Sequence, residues 1–297
     1  MIASIDGSFM LHRARFVAGK NGTPTRDHTI AIFIGIFLRT LQQFRPSRVY
    51  IYFDRERSYH RLQLYADYKG QRKVDDTDPT LVAYKAAREF LLEVLPTLGF
   101  ITILEDGIEA DDFAYLTAKR YEPGVHITDD KDWFNNLFPQ WSLYRPKAGE
   151  LFSYDDFCTM VSHAENPRMI YLIARAIVGD RSDNIPGVRG VPWEQALVLA
   201  PRIFTREDLG SCKYAKKVLD NMGQVRHNIN LMTPMWVVQS SEAIQAFEKA
   251  EQVVETNLRG SLSFVRWSNF CDRLAPIVQR AMVRSWVDYN GIVTKMS

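Results

Sequence analysis

The stretch Gly107 to Phe113 (GIEADDF) carries three carboxylates, Glu109, Asp111 and Asp112, directly ahead of an apolar run with helical spacing. Carboxylates this close repel one another, and each raises the others' pKa unless something offsets them. A first helical turn contributes only ~0.3–1 kcal/mol per acid through its dipole. That accounts for one or two acids and less easily for three. Further acids follow other apolar stretches: Asp6, Asp54, Asp130, Asp132, Asp180 and Asp183. Carboxylates gathered from separate segments are what hard divalent cations require, and Mg2+ is commonly held between carboxylates and substrate phosphates. The pattern points to metal-dependent phosphoryl transfer. The bland alternative at each position is a solvated helix start or a turn-forming Asp.

The elements that must position these acids follow from periodicity. Met1–Ile5, Arg48–Phe53, Phe100–Leu104, Val125–Ile127 and Trp141–Tyr144 read as strands, and several lead straight into an acid. Ligands gather outside the carboxyl ends of strands in open α/β sheets. Thr29–Phe44 and Phe113–Arg120 read as helices between them, so residues up to about 150 form an α/β domain with a mainly parallel sheet. Beyond Tyr154 helices dominate, with strong candidates at Met169–Val178 and Trp193–Leu199. Val237–Val238 is expected to be extended. Asp180 and Asp183 are three apart, so a helical turn or tight loop points both at one ion. Between those two helices, Ile185–Pro192 is a glycine-punctuated hairpin, and a helix start after such a turn offers backbone N–H groups to a phosphate.

The chain has 297 residues, 46% hydrophobic and 24% charged, with a formal net charge of +2. This is a globular composition. Three widely spaced cysteines, Cys158, Cys212 and Cys271, argue against a disulfide scaffold. No Cys-x-x-Cys pair exists and the histidines are scattered, which argues against zinc. No leader-like or membrane-spanning apolar run is expected, which makes the expected location cytoplasmic. Charge is uneven despite the neutral total. From Arg55 to Arg88 basic residues (Arg55, Arg57, His60, Arg61, Lys69, Arg72, Lys73, Lys85, Arg88) alternate with Tyr59, Tyr65, Tyr68 and Tyr84. Basic groups track phosphates and aromatic faces stack on unpaired bases, a combination suited to single-stranded nucleic acid. Lys213, Lys216 and Lys217 read as a solvated face.

Five segments in order resemble the 5′-nucleases, the flap endonucleases and 5′→3′ exonucleases, in their compact bacteriophage form. They are IDGS (Ile5–Ser8), YADYKGQR (Tyr65–Arg72), GIEADD (Gly107–Asp112), TDDKDW (Thr128–Trp133) and GDRSDNIPGVRG (Gly179–Gly190). The resemblance implies a PIN-like nuclease domain over residues 1–168 with a helical arch at about 55–90. A helical region over 169–297 follows, with a helix–three-turn–helix (helix-hairpin-helix) element at about 169–205. It implies two Mg2+ ions, replaceable by Mn2+, in a carboxylate bowl. Asp6, Asp54, Glu109, Asp111 and Asp112 would serve one ion, and Asp130, Asp132, Asp180 and Asp183 the other. Asp129 is not carried over. In two-metal hydrolysis the ions stand ~3.5–4 Å apart, activate water and stabilise charge around phosphorus. Lys69 and Arg72 would offset charge on the scissile phosphate, and Tyr68 would stack near the terminal base. Arg13, Arg61, Gly187, Arg189 and Gly190 would contact nucleic acid. The implied substrate is DNA with a free 5′ end or a 5′ flap, and RNA–DNA hybrids, acted on by a monomer that works beside replication proteins and not at a membrane.

Two residues depart from the family pattern. Pro192 stands where a second hairpin glycine is usual, and Glu194 where a lysine is usual. Proline removes an N–H donor and glutamate repels phosphate, so both count against the backbone grip and against a K+ ion at the hairpin. A phosphatase of the haloacid-dehalogenase type would need a second Asp two residues before Asp6, where Ser4 stands. The alternatives that remain are a PIN-type ribonuclease and a catalytically inactive nucleic-acid-binding relative.

Overall fold

The structure is a computed structural model. It describes residues 1–257 except Asn21, Lys73, Val74, His163, Ala164 and Ser211, together with Asp272 and Arg273. Cys271 and the rest of the expected C-terminal helical region lie outside the described residues. In chain order the elements are β1 (Ile2–Asp6), α1 (Gly7–Gly19), α2 (Arg26–Phe44), β2 (Arg48–Tyr52), α3 (Tyr59–Leu64), α4 (Pro79–Val94), β3 (Ile101–Ile103), α5 (Ala110–Arg120) and β4 (Gly124–Ile127). They continue with β5 (Trp141–Arg145), β6 (Glu150–Phe152), α6 (Tyr154–Val161), α7 (Pro167–Val178), β7 (Gly179–Asp180), β8 (Ile185–Pro186), α8 (Trp193–Thr205), α9 (Ala215–Leu219), α10 (Met222–Met232) and α11 (Ser241–Asn257). The backbone separates into two compact units. The first comprises Met1–Asp54, Val74–Leu104 and the segment from Ser241; the second comprises Arg55–Lys73 and Glu105–Ser240.

In the first unit β1 pairs with β2 and β2 with β3, all parallel. Both faces of such a sheet are covered, so its strands read as near-continuous apolar runs; every residue of β1 is buried. Helix α2 buries Ile30, Phe33, Ile34, Phe37, Leu38 and Leu41 at helical spacing. Phe37 meets Phe100 edge-on at a centroid distance of 4.9 Å. Thr25 caps α2 by accepting the His28 N–H at 3.2 Å, which starts the helix earlier than its apolar pattern does. The Gly7–Gly19 segment is helical too, although its polar residues conceal this in the sequence. Gly7 is required where α1 begins, because a Cβ there would lie 2.8 Å from the Tyr52 carbonyl.

In the second unit β4 and β5 are parallel and β6 joins β5 antiparallel. The core beneath them holds Trp133, Trp141 and the fully buried His126, whose ring stacks on Trp141 at 4.4 Å. Helix α7 opens on Pro167, where a missing N–H costs nothing. Val237 and Val238, expected to be extended, instead lie in a 3-10 turn over Met235–Gln239 with Val237 buried. Packing overrides the β-branched preference there. Among the described residues, no helix is long and apolar enough to cross a membrane.

Candidate active site

In the first unit Asp6 ends β1 and caps α1, its Oδ1 accepting the Phe9 N–H at 2.8 Å. The Asp54 N–H donates to Ser8 Oγ at 2.7 Å, and Arg88 donates to the Asp54 carbonyl at 2.9 Å. Two adjacent parallel strands thereby hold two acids at their carboxyl ends. Arg13 is half-buried on α1.

The other seven acids lie in the second unit, where they meet cations. Helix α5 starts at the acidic triplet, with Asp112 accepting the Glu109 N–H at 3.2 Å. Arg61, delivered by α3 and only 2% exposed, sits among all three acids. Its Nη1 donates to Glu109 at 3.0 Å and to Asp112 at 2.9 Å; its Nη2 donates to Asp112 at 2.9 Å and to Asp111 at 3.3 Å. Its Nε donates to the Leu231 carbonyl at 3.0 Å. Lys69 Nζ donates to Glu109 at 2.9 Å, and Arg72 donates to Asp183 at 2.7 Å. The Tyr68 hydroxyl donates to Glu109 at 2.8 Å and to Asp183 at 3.2 Å.

A second group forms around Arg175, near the end of α7. It donates to Asp180 at 2.6 Å and also to Asp132, while Lys131 lies 3.2 Å from Asp180. A 3-10 turn over Arg181–Asp183 separates Asp180 from Asp183, and Asp180 caps it by accepting the Ser182 N–H at 2.7 Å. Asp130 similarly accepts the Asp132 N–H at 2.9 Å. Asp129 instead accepts the Lys147 N–H at 3.1 Å, a turn role consistent with leaving it out of the ligand set.

Burial and charge decide ionisation here. Burial disfavours the Glu109 carboxylate, but Lys69 and Arg61 outweigh it and hold the group down at about 2. Burial pushes Asp112 well up; Arg61 opposes this, while Asp111 and Glu109 reinforce it. Three acids face two cations, Arg61 and Lys69, so full ionisation of all three is not compensated. Asp180 is held down at about 2, because Ser182, Arg175 and Lys131 together outweigh its burial.

Two expectations change. Arg61 and Tyr68 are 2% and 1% exposed, so neither presents a face to nucleic acid; both are committed to the carboxylates. Gly187 also has a packing role: a Cβ there would run into the Val178 carbonyl, and one on Gly179 would run into the Gly187 backbone. Arg189 and Gly190, by contrast, stand exposed on the hairpin rim.

Arg175, Lys131 and Asn136 were not singled out by the sequence reading. Arg175 had a signal, a lone cation in the apolar run Met169–Val178, which when buried requires an acid. Asn136 had none. It is fully buried, its Nδ2 donates to the Asp111 carbonyl at 2.8 Å, and its own carbonyl accepts from His126 Nε2 at 3.0 Å.

Among the described residues, no three acidic, histidine or cysteine side chains are arranged to hold a metal ion as they stand. The carboxylates of Glu109, Asp111, Asp112, Asp132, Asp180 and Asp183 each have an arginine or lysine partner. The donor set is nonetheless all carboxylate oxygen, with more acids than Arg61 alone neutralises. That chemistry fits a hard divalent cation.

Residues 1–161 of the 297 match the family described as 5′-3′ exonuclease, N-terminal resolvase-like domain. A 5′-3′ exonuclease of Mycoplasmopsis pulmonis is 30% identical over 224 residues, covering 73% of this chain and 69% of that protein. A 5′-3′ exonuclease of Aquifex aeolicus is 29% identical over 214 residues, covering 69% and 70%. The chain spans only about a fifth to a quarter of the length of several DNA polymerase I proteins that it also matches. In fold it is similar to the bacteriophage T5 D15 protein co-crystallised with metal ions, with a TM-score of 0.70 at 20% identity over 86% of this chain and 98% of that one. The matched region takes in more than half of the chain together with the acids of β1, β2, α5 and the Asp130 loop, and the chain belongs to the 5′-3′ exonuclease family.

Proposed function

We propose that the chain is a Mg2+-dependent, structure-selective 5′-nuclease that hydrolyses DNA, and RNA primers in RNA–DNA hybrids, at a free 5′ end or a 5′ flap. The observation that carries this reading is the meeting, within one unit, of Glu109 with Lys69 and of Asp183 with Arg72. A cluster of acids opposes phosphate binding unless cations offset it, and here cations and acids are interleaved. The proposed ligands are Glu109, Asp111, Asp112, Asp130, Asp132, Asp180 and Asp183, with Asp6 and Asp54 added on the strength of their sequence motifs. Divalent ions bound there supply Lewis-acid stabilisation of the charge that develops around phosphorus.

The chain's own residues divide the remaining work. Lys69 and Arg72 offset charge on the scissile phosphate. Arg61 and Tyr68 fix the directions of Glu109, Asp112 and Asp183. Arg13, Arg189 and Gly190 contact the nucleic-acid backbone. The proposed segmentation keeps an arch at about 55–90 and a helix-hairpin-helix element at about 169–205, built from α7, the glycine hairpin and α8. The proposed working form is a monomer. The Pro192 and Glu194 departures leave K+ out of this proposal.

The test is cleavage of a 5′-labelled flap duplex and a matched blunt duplex, with Mg2+ and with chelator. A short labelled flap released only with Mg2+ supports flap endonuclease action. Mononucleotides from both substrates support exonuclease action. Absence of Mg2+-dependent cleavage of either substrate refutes the reading.

A further inference from the structure

The hairpin between α7 and α8 has a rim built for close approach, and Arg189 is the cation it carries itself. Gly190 is exposed at φ +78, a conformation side chains rarely adopt. Pro192 has no N–H to offer, and Glu194 places a negative charge in the first turn of α8. Glu194 opposes the charge of Arg189 there, so a phosphodiester at this rim gains from a cation supplied by another element.

Such a cation is present. A Cβ added to Gly190 would lie 3.5 Å from Lys217 Nζ, so the α9 ammonium reaches the hairpin's most exposed turn. Lys217 is exposed, and among the described residues its ammonium makes no ion pair. This distinguishes it from Arg61, Lys69, Arg72, Lys131 and Arg175, each paired with a carboxylate. It also distinguishes it from Lys213, whose Nζ lies 5.2 Å from the Tyr214 ring centre. Arg189, on the same rim, is exposed and likewise makes no ion pair among the described residues. Asp220 lines the hollow shared by Lys216 and Lys217 and is the acid nearest in sequence on that side.

We propose that Lys217 is the phosphate-binding cation of the hairpin, supplied from α9 in place of the one that Glu194 excludes from α8, with Arg189 beside it. The ligand is a backbone phosphodiester of duplex nucleic acid. This rests on the reading of the chain as a nuclease, and it adds that the duplex is gripped from two elements, the hairpin and α9.

The experiment measures binding of the full chain to a labelled duplex by fluorescence anisotropy over a salt series. It is run with Mg2+ in an Asp130→Ala background so that turnover does not consume the substrate. One neutralised phosphate contributes about 0.9 to the slope of log affinity against log salt. Lys217→Ala is therefore expected to flatten the slope by about that amount, a change of about 3.5-fold in relative affinity between about 50 and about 200 mM salt. Lys217→Arg should keep the parental slope, and Lys249→Glu, on exposed α11 surface, should leave it unchanged. Adding Glu194→Lys to Lys217→Ala should restore the lost slope by returning a cation to the rim. An unchanged slope in Lys217→Ala overturns the proposal, as does an equal loss in Lys249→Glu. If the unmutated chain cuts a flap while Lys217→Ala binds like its parent, only this inference fails. If the unmutated chain neither binds nor cuts, the nuclease reading fails and takes this inference with it.

Discussion

Replacing Arg61 by methionine keeps an unbranched, though shorter, stem and removes the charge and all five of the hydrogen bonds, four of them to Glu109, Asp111 and Asp112. The carboxylates left behind are 5% exposed at Glu109 and 0% at Asp112, so water cannot take the place of the guanidinium. Removing one partner of a buried ion pair costs about 3–5 kcal/mol, which corresponds to a drop of roughly 6–20 °C in Tm for a chain of this size. The loss should depend on pH in a defined direction. Without Arg61 the pKa of Asp112, already raised by burial in the parent, rises further, and that of Glu109, still held by Lys69, rises from its lowered value. The variant then gains relative stability as pH falls and these groups take up protons, and loses it as pH rises. The gap between the two proteins should therefore be largest near neutral pH and narrow towards about pH 5. Thermal unfolding followed by circular dichroism in chelator, at both pH values, reads this directly. A variant that melts within a degree or two of the parent at neutral pH, or a gap that widens on acidification, would refute the claim that Arg61 holds the acids together.

Asp111→Ala and Asp130→Ala should each abolish Mg2+-dependent cleavage while leaving the circular dichroism spectrum of the parent; near-normal turnover in both would remove the metal assignment. Lys69→Ala should lower single-turnover cleavage more than it lowers duplex affinity, because its ammonium sits on Glu109; equal losses in both would make it a binding residue only. His126 is held neutral by burial, which the Asn136 carbonyl only partly opposes, with its pKa pushed down from 6.5 to about 3. The unfolded chain therefore takes up a proton first, and stability falls as pH drops below 6.5, by about 2 kcal/mol by pH 5. Urea unfolding of His126→Gln should lack that part of the slope, and an unchanged slope would show that another group titrates.

Most of the acids were legible in the sequence because they follow a strand or open a helix, and periodicity marks both; Asp180 and Asp183 were legible as a pair three apart just past the apolar stripe of α7. Helices α2, α5 and α7 carry apolar stripes and appear where their spacing places them. Helix α1 escaped because His12, Arg13 and Arg15 break its apolar pattern, and β6 because three largely exposed residues carry too little pattern. What could not be read was the pairing. Arg61 reaches acids 48 to 51 residues away, and Arg175 reaches Asp132 across 43. Local spacing holds no record of contacts made across the fold. The Tyr59–Tyr84 aromatics illustrate the same limit: composition suggests stacking surfaces, yet Tyr68 and Tyr84 are buried and only Tyr59 is well exposed.

The close approach of Gly179 and Gly187 fixes the course of the hairpin whether or not anything is bound. A side chain at either position would collide with backbone, so the loop cannot be retuned by altering its path. Adjustment is confined to removable charges around the rim, at Arg189, Glu194 and Lys217. For an engineer this separates scaffold from setting: salt tolerance of the enzyme could be raised or lowered by exchanging those three side chains, with the interlocked glycines left untouched.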